Sequence, residues 1–237
     1  MNGNRSGRLG VGIVGAGRVG PVLGAALGGA GHAIVGISTV SEEGLDRADA
    51  LLPGVPVLTV PEVVERAELV LLAVPAADLE SLVAGLAATG AWQAGQIVAH
   101  TAAEFGVGVL APAMAAGVIP LALHPAIAFT GTSLDLARLR EGWCAVTAPA
   151  PVLPIGQALV LEMGAEPVVI AEADRGAYAA ALAAVRGLAS GVVGDAVGRL
   201  AAIGVESPER VLGALVRSAV DEALAMGSRP RPAAPPS

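Results

Sequence analysis

The sequence lacks lysine, and this absence excludes several kinds of chemistry. All 14 basic residues are arginines. A Schiff-base lysine, the lysine of a phosphate-binding P-loop and a lysine general base are therefore excluded. Asparagine occurs only at Asn2 and Asn4, so the body of the fold contains none. Any chemistry must use histidine, arginine, carboxylates, hydroxyls or the backbone.

Cysteine and charged residues are also scarce. Cys144 is the single cysteine, which excludes an internal disulfide framework and a multi-cysteine zinc site. The histidines, His32, His100 and His124, are too dispersed for a HExxH site, so no metal site is predicted. The net charge of −7 argues against nucleic-acid binding, which needs a basic surface to offset the phosphates. With 15% charged and 54% hydrophobic residues, the chain is too apolar for intrinsic disorder.

Two segments resemble membrane or export signals. Residues 105–134 carry no acidic or basic side chain apart from a histidine, but Pro112, Pro120 and Pro125 remove helix hydrogen bonds that lipid cannot replace. Near the N-terminus an apolar stretch follows two arginines, as in a secretion signal, but Arg18 interrupts it. We therefore expect no membrane span and a cytoplasmic protein, with which a lone reduced cysteine is compatible.

Strand-like and helix-like segments alternate from residue 9 to about residue 171. The apolar run LVLLAV at 69–74, stopped by Pro75, is typical of a strand buried on both faces of a parallel sheet. The alternation predicts an α/β, Rossmann-type, doubly wound and mostly parallel sheet over residues 1–172. The predicted strands are 9–14, 33–37, 57–58, 69–74, 96–99, 119–123, 142–147 and 167–170.

After residue 172 the strand signal disappears. The alanine-rich residues 174–203 predict one long helix, and a second helix begins at Pro208. The sequence thus predicts a small all-α domain at 173–227, followed by a disordered proline-rich tail at 228–237. Two such helices cannot bury their apolar faces fully against a small sheet domain. We therefore expect a homodimer built on them.

A glycine-rich loop joins the first predicted strand to a helix. Gly15, Gly17 and Gly20 form the pattern GxGxxG in this context. Gly15 permits a tight turn, Gly17 lets the backbone approach a pyrophosphate, and Gly20 lets the helix pack close to the strand. The helix N-terminus adds unpaired N–H groups and a positive dipole end. The loop predicts a dinucleotide-binding site.

The predicted cofactor-binding residues follow the carboxyl ends of predicted strands, where ligands bind in open α/β sheets. They are Gly15, Ala16, Gly17, Arg18, Val19, Gly20, Ser38, Thr39, Val74, Pro75, Ala76 and Thr101. The second strand bears on the choice of dinucleotide, because an NAD site usually has Asp or Glu at its end. Here the hydroxyls of Ser38 and Thr39 stand at that end, and they tolerate a 2′-phosphate that a carboxylate would repel. NADP is therefore preferred over NAD, although two glutamates follow closely and no arginine follows before Arg47.

Two histidines follow strands at the same edge of the sheet. His100 precedes Thr101, and His124 precedes Pro125. Hydride transfer to a carbonyl needs a proton donor, which histidine supplies near neutral pH. His124 and His100 are therefore the candidate catalytic residues, with His124 the preferred one. The alternative is that each histidine caps its strand by bonding to the backbone.

Taken together, these motifs resemble a known family. The segments GIVGAGRVG, LVLLAVP, HT at 100–101 and PLALHPAIAFTGT at 120–132 are similar to bacterial proteins with a Rossmann-like NADP-binding domain and a helical domain of unknown function. These belong to the 6-phosphogluconate dehydrogenase-like superfamily, with ketopantoate reductase, pyrroline-5-carboxylate reductase and prephenate dehydrogenase as relatives. The resemblance covers about residues 9–185, and HPAIAFTGT is its most specific part.

The resemblance implies an NADP-dependent oxidoreductase acting on a small carbonyl, imine or hydroxy acid, and a dimer formed through the C-terminal helices. It implies no particular substrate. Family members carry a histidine directly after a tyrosine early in the C-terminal helices, whereas Ala179 follows Tyr178 here. Related reductases often use a catalytic lysine, which this chain lacks. The alternative of a dinucleotide-binding sensor or partner subunit without turnover therefore stays open.

Overall fold

The computed structural model describes residues 8–227, whose strands form one sheet in the order β2-β1-β3-β4-β5-β6-β7. The strands are β1 (Gly10–Val14), β2 (Ala33–Ser38), β3 (Leu69–Leu72), β4 (Ile97–His100), β5 (Ile119–Pro125), β6 (Trp143–Thr147) and β7 (Glu166–Val169). Strands β1 to β5 are parallel, β6 is antiparallel to β5, and β7 is parallel to β6. The mostly parallel sheet that the alternation predicts is confirmed. The predicted strand at 57–58 is an isolated bridge between Val57 and Ile37.

Helices cover both faces of the sheet. The helices are α1 (Gly20–Gly29), α2 (Glu42–Leu51), α3 (Val60–Arg66), α4 (Ala76–Ala88), α5 (Ala111–Met114), α6 (Leu134–Arg140), α7 (Leu153–Glu162), α8 (Arg175–Leu188), α9 (Gly194–Ala202) and α10 (Pro208–Gly227). Strand β3 shows why its sequence is continuously apolar. Leu69 and Leu71 pack in one core cluster, with α1, and Val70 and Leu72 in the other, with α3 and α4. A strand buried on both faces has no position for a polar side chain.

The reversal at β6 and the short helix α6 were not predicted from the sequence. Strand β5 ends at Pro125, and β6 pairs with β5 in the antiparallel direction, with Pro125 opposite Cys144. The 17 residues between the two strands, which include α6 (Leu134–Arg140), turn the chain at the carboxyl end of β5 and do not return it to the opposite edge of the sheet. Strand β6 therefore runs antiparallel to β5.

The C-terminal segment is helical, as predicted, but the long helix is interrupted. A π-helical turn at Ala189–Val193 separates α8 from α9. The chain divides into two compact units, Met1–Ala180 and Ala181–Ser237, so this division falls within α8, whereas the predicted boundary precedes it. The predicted domain boundary stays a prediction. The predicted disordered tail at 228–237 lies outside the described residues.

One helical segment bears on the prediction that the chain has no membrane span. The uncharged stretch at 105–134 forms short helices and strand β5. Within the described residues, the helical segment Glu172–Ala202 is long and apolar enough to cross a membrane, with a mean hydropathy of 1.4. Length and composition alone are weak evidence for a span. The cytoplasmic location and the absence of membrane or nucleic-acid partners stay predictions.

Candidate functional site

The glycine loop has the close packing that its motif predicts. Gly15 has a φ of +105°, and a Cβ atom there would lie 2.5 Å from the carbonyl oxygen of Ala73. A Cβ atom on Gly20 would collide with the carbonyl oxygen of Gly15. Both positions therefore require glycine, because any side chain would push the loop away from β3 or from α1.

Gly17 differs from the other two glycines. It is exposed, and a Cβ atom there would meet nothing within 4 Å. Helix α1 begins at Gly20 with Pro21 in its first turn, and its first N–H groups lack intrahelical partners. The open backbone beside a helix N-terminus is a cradle in which a pyrophosphate fits.

The end of β2 and the start of α2 lie beside this loop. Thr39 Oγ1 is 3.4 Å from the Ser41 N–H, and the Ser41 hydroxyl accepts a hydrogen bond from the Gly44 N–H and caps α2. Arg47 donates from Nε to the carbonyl oxygen of Ala16 at 3.1 Å. The Ser38 carbonyl oxygen accepts a hydrogen bond from the Gly15 N–H at 3.0 Å. Arg47 and the end of β2 therefore both contact the glycine loop, which sequence spacing did not show.

The other predicted cofactor residues follow β3 and β4 at the same edge. Pro75 precedes α4, which begins at Ala76. A side-chain carbon of Val74 lies 3.4 Å from where a Gly15 Cβ atom would be. The Thr101 N–H donates to the carbonyl oxygen of Leu72 at 3.2 Å. The ends of β1, β3 and β4 thus form one continuous edge that starts at the glycine loop.

His100 ends β4 and is fully buried. Its Nε2 lies 2.8 Å from the carbonyl oxygen of Gly106, and its Nδ1 accepts a hydrogen bond from the Ala102 N–H at 3.2 Å. Burial lowers the pKa of His100 to about 4, and the Gly106 hydrogen bond offsets this only in part. A neutral imidazole bonded to the backbone through both nitrogens is the strand-capping alternative. The structure therefore favours a structural role, and catalysis by His100 stays a prediction.

His124 lies near the end of β5 and contacts the only tyrosine of the chain. The Tyr178 hydroxyl lies 3.0 Å from His124 Nδ1 and 3.4 Å from the His124 carbonyl oxygen. The two rings meet edge to face, with centroids 5.6 Å apart. Tyr178 is half-buried, and His124 is 8% exposed. The two side chains form a hydrogen-bonded pair at the carboxyl edge of the sheet, and each carries a group that can donate or accept a proton.

A buried arginine, Arg175, lies next to the tyrosine of this pair. Arg175 begins α8, is 1% exposed, and places its Cζ atom 5.9 Å from the centroid of the Tyr178 ring. Its Nε donates to the Thr147 hydroxyl at 2.7 Å, and its Nη2 donates to the Ala122 carbonyl oxygen at 2.7 Å. Burial lowers the pKa of Arg175, and the neighbouring Tyr178 and Cys144 oppose the effect. The guanidinium nevertheless stays protonated at any pH that proteins tolerate.

The segment after β5, which carries the most specific part of the resemblance, is organised by Asp135. This carboxylate, fully buried, accepts hydrogen bonds from the Thr130 and Gly131 N–H groups, the Thr130 hydroxyl and Arg138. Burial alone would raise the pKa of Asp135, but these hydrogen bonds outweigh it and hold the pKa below its usual value. A Cβ atom on Gly131 would lie 3.3 Å from Arg18 Cα and 3.0 Å from Arg47 Cδ. Asp135 therefore fixes a loop that closes against the glycine loop.

We expect Asp135→Ala to lower the free energy of unfolding by about 2–4 kcal/mol, because buried backbone N–H groups lose their acceptor. Urea unfolding at neutral and acid pH measures this loss. The folded-state pKa of Asp135 is depressed, so its stabilisation is present above the unfolded pKa and is lost as pH falls through the folded pKa. The cost of the substitution should therefore shrink towards low pH. Asp135→Asn, which keeps one acceptor oxygen, serves as the matched variant, and an equal cost at both pH values would contradict the assignment.

Sequence reasoning missed Tyr178, Arg175 and Arg47 as members of the site. Tyr178 lies 54 residues from His124, and Arg175 lies 53 residues from Ala122. No local pattern predicts contacts across such separations. The only available signals were that Tyr178 is the single tyrosine and that Arg175 opens an alanine-rich helix.

Family models match most of the chain. A Rossmann-like domain matches residues 1–125, and a domain of unknown function, DUF2520, matches residues 142–232. No curated protein matches the sequence significantly.

Solved structures share the fold at low sequence identity. Pyrroline-5-carboxylate reductase from Streptococcus pyogenes is 17% identical with a TM-score of 0.68, over 96% of this chain and 83% of that chain. The Plasmodium falciparum pyrroline carboxylate reductase with NADP bound is 11% identical with a TM-score of 0.64, over 94% and 80%. An imine reductase from a Pseudomonas species is 14% identical with a TM-score of 0.68, over 92% and 76%. These similarities confirm the fold that the sequence resemblance implied. The chain belongs to the Rossmann-like domain family and carries a DUF2520 domain after its Rossmann-like half.

Proposed function

We propose that the protein is an NADP-dependent oxidoreductase that reduces a small carbonyl or imine, or oxidises the corresponding hydroxy acid. One observation carries the proposal: an open glycine cradle and the His124–Tyr178 pair lie at the carboxyl edge of one sheet. Strands β3 and β4 separate β1 from β5, which sets the two about 14 Å apart along the edge. A phosphate subsite and a proton-transfer site at opposite ends are what a dinucleotide-dependent reaction needs.

In this proposal the residues of the chain bind the cofactor, orient the substrate and supply a proton to it. NADPH, when bound, supplies the hydride, which adds to the carbon of the C=O or C=N bond. The backbone around Gly17 and the N-terminus of α1 would hold the pyrophosphate. The Tyr178 hydroxyl, hydrogen-bonded to His124, donates a proton to the substrate oxygen or nitrogen, and His124 restores it from solvent. One hydride and one proton together account for reduction of the C=O or C=N bond to the alcohol or amine.

The choice of NADP rests on the charges beside the adenosine end of the site. Arg47 is bonded to Ala16 of the glycine loop, and the Ser38 carbonyl oxygen at the end of β2 accepts a hydrogen bond from Gly15 of the same loop. An arginine near the end of β2 accommodates the 2′-phosphate of NADP. Glu43, which lies 3.6 Å from Arg47 Nη1, is 85% exposed at its side chain and can turn away into solvent. The Plasmodium relative has NADP bound.

A turnover assay tests the proposed function. The purified protein should oxidise NADPH in the presence of at least one member of a panel of small aldehydes, keto acids and cyclic imines. Tight NADPH binding without turnover on any member would favour the alternative, a dinucleotide-binding sensor or partner subunit. Absence of both NADPH binding and turnover would contradict the oxidoreductase function and the sensor function alike.

We further propose that the protein is a homodimer built on the C-terminal helices. Several large apolar side chains of this region are exposed in the described single chain: Val185, Leu188, Val192, Ile203, Val211, Leu215, Leu224 and Met226, each at least 53% exposed. Exposed apolar residues at this density indicate a protein interface rather than a solvated surface. A second copy of the same helices can cover them about a two-fold axis.

Light scattering after gel filtration measures the dimer. We expect twice the chain mass of 23.2 kDa for the wild type and a shift towards monomer for Leu215→Arg, whose residue is 64% exposed on α10. Asp221→Arg is the matched control, because helical spacing places residue 221 on the polar side of α10 with Arg210 and Arg217. A monomeric wild type, or equal effects of the two variants, would contradict the proposal.

A further inference from the structure

Arg175 is a buried cation without an ion-pair partner. It is 1% exposed, and among the described residues no carboxylate forms a salt bridge with it. Its Nη1 has no hydrogen-bond partner within the described chain. A buried charge without a counter-charge is costly, and a buried unsatisfied donor adds to the cost. Packing alone therefore does not explain why a charged side chain is buried at this position.

A structural role accounts for only part of the side chain. Arg175 bonds the Thr147 hydroxyl on β6 and the Ala122 carbonyl oxygen on β5, with the Ala145 carbonyl oxygen 3.5 Å away. These bonds tie the antiparallel pair β5–β6 to the start of α8. A neutral amide donor could make two such bonds without bringing a positive charge into the interior. The charge strengthens these bonds but is not required to form them.

The acid that could neutralise this charge is engaged elsewhere. Glu172, three residues before Arg175, accepts hydrogen bonds from the Val107 and Gly108 N–H groups at 2.8 and 2.9 Å. A Cβ atom on Gly106 would collide with the Glu172 carboxyl group, so glycine at that position allows the approach. The carboxylate is thereby directed to the loop after β4 and away from a direct ion pair with the guanidinium.

The Arg175 charge, which Glu172 offsets only from beyond salt-bridge distance, lies beside the His124–Tyr178 pair. The Cζ atom of Arg175 is 5.9 Å from the centroid of the Tyr178 ring, and the Tyr178 hydroxyl contacts His124 Nδ1 at 3.0 Å. A cation at this range stabilises a negative charge that develops on the phenol. The bonds to Thr147 and Ala122 fix the guanidinium in place, so the field acts without rearrangement.

We propose that Arg175 is a positioning residue whose buried positive charge promotes release of the Tyr178 proton to the substrate. The proposal rests on the oxidoreductase function proposed above. In the reducing direction the Tyr178 O–H bond breaks and a substrate O–H or N–H bond forms, while hydride adds to the adjacent carbon. The tyrosinate that remains lies beside Arg175 and regains a proton through His124. Charge and proton number balance at each step.

The other titratable groups around Arg175 do not replace this charge. His100 on β4 is held neutral by burial, which lowers its pKa to about 4. Burial raises the pKa of Cys144 on β6 to about 12, so its thiol is uncharged at neutral pH. His124 on β5 contacts the phenol directly, and Glu172 is bonded to the backbone. Arg175 is therefore the fixed cation of this cluster.

An alkaline spectrophotometric titration of Tyr178 tests the proposal. The chain has one tyrosine and no lysine, so the tyrosinate absorbance reports a single side chain, and Arg175 stays charged throughout. We expect Tyr178 to ionise at a lower pH in the folded protein than in the unfolded chain. In Arg175→Gln the midpoint should rise by about one pH unit. Arg175→Lys should give a midpoint between those of the wild type and Arg175→Gln, because burial lowers the pKa of a lysine at this position and the lysine loses charge in the range in which Tyr178 titrates.

Matched variants separate a charge effect from a structural one. Arg66→Gln removes an exposed arginine of the same compact unit and should leave the midpoint unchanged. A midpoint in Arg175→Gln equal to that of the wild type, in a protein that still unfolds cooperatively, would overturn the proposal. If Arg175→Gln does not fold, the comparison of folded and unfolded wild type decides alone. A folded midpoint at or above the unfolded one would overturn the proposal.

The titration needs neither cofactor nor substrate. A lowered Tyr178 midpoint in a protein that fails to bind NADPH would therefore contradict the oxidoreductase function while leaving the Arg175–Tyr178 coupling intact. If the protein binds and oxidises NADPH but substitution of Arg175 leaves the Tyr178 titration midpoint unchanged, the oxidoreductase function is supported and the proposed role of Arg175 is contradicted. The two failures are thus distinguishable.

Discussion

Gly17→Asp should lower the affinity for NADPH by about 100-fold or more, equivalent to roughly 2.7 kcal/mol of binding free energy. The substitution puts a carboxylate at the exposed backbone where the pyrophosphate would bind, next to the N-terminus of α1. Two negative groups would then compete for the same N–H groups and the same positive dipole end. The folded structure should change little, because a side chain at this position meets nothing within 4 Å. Isothermal calorimetry measures the affinity, and thermal unfolding checks the fold.

Two companion variants show whether the effect belongs to the cradle. Gly17→Ala adds bulk without charge and should weaken NADPH binding less than Gly17→Asp does. Gly85→Asp adds the same charge on the exposed side of α4, where the space is also open, and should bind NADPH like the wild type. Equal affinity in Gly17→Asp and the wild type would place the cofactor elsewhere.

His124→Gln should lower turnover by about 100- to 10,000-fold, the range for loss of a general acid or base. The substitution removes the group that returns the proton to Tyr178 but leaves the glycine loop untouched. The affinity for NADPH should therefore stay within about 2-fold of the wild-type value, which corresponds to a change of about 0.4 kcal/mol in binding free energy. Steady-state kinetics with the substrate found in the turnover assay measures the loss.

The other histidines provide the controls for this experiment. His32→Gln changes a buried histidine that bonds Glu162 and the Leu9 N–H near the start of β1, away from the proposed site, and turnover should persist. His100→Gln tests the second predicted candidate, and its backbone bonds lead us to expect reduced stability more than reduced turnover. Full turnover in His124→Gln would remove this residue from the mechanism.

The glycine loop between β1 and α1 could be predicted from the sequence because its determinants are local. Gly15, Gly17 and Gly20 lie within six residues, and strand and helix flank them directly. Their steric role can be derived from the turn that such a junction needs. The continuous burial of β3 was predictable for the same reason, since an apolar run stopped by a proline has few other interpretations.

The cluster of His124, Tyr178 and Arg175 could not be predicted because its contacts join residues that are distant in sequence. The contacts of Tyr178 with His124 and of Arg175 with Ala122 form only when α8 folds back onto β5 and β6. The loop after β5 is held by Asp135, and an isolated aspartate in a sequence gives no sign of its four hydrogen bonds. The histidines were recognisable as edge residues, but their distinct surroundings were not.

The most direct test of the account is a calorimetric titration of the purified wild-type protein with NADPH and, in parallel, NADH. The glycine cradle and Arg47 beside the hydroxyl-rich end of β2 predict tight binding of NADPH and weaker binding of NADH. Binding of neither dinucleotide would contradict the account and would leave a Rossmann-like fold without its expected cofactor.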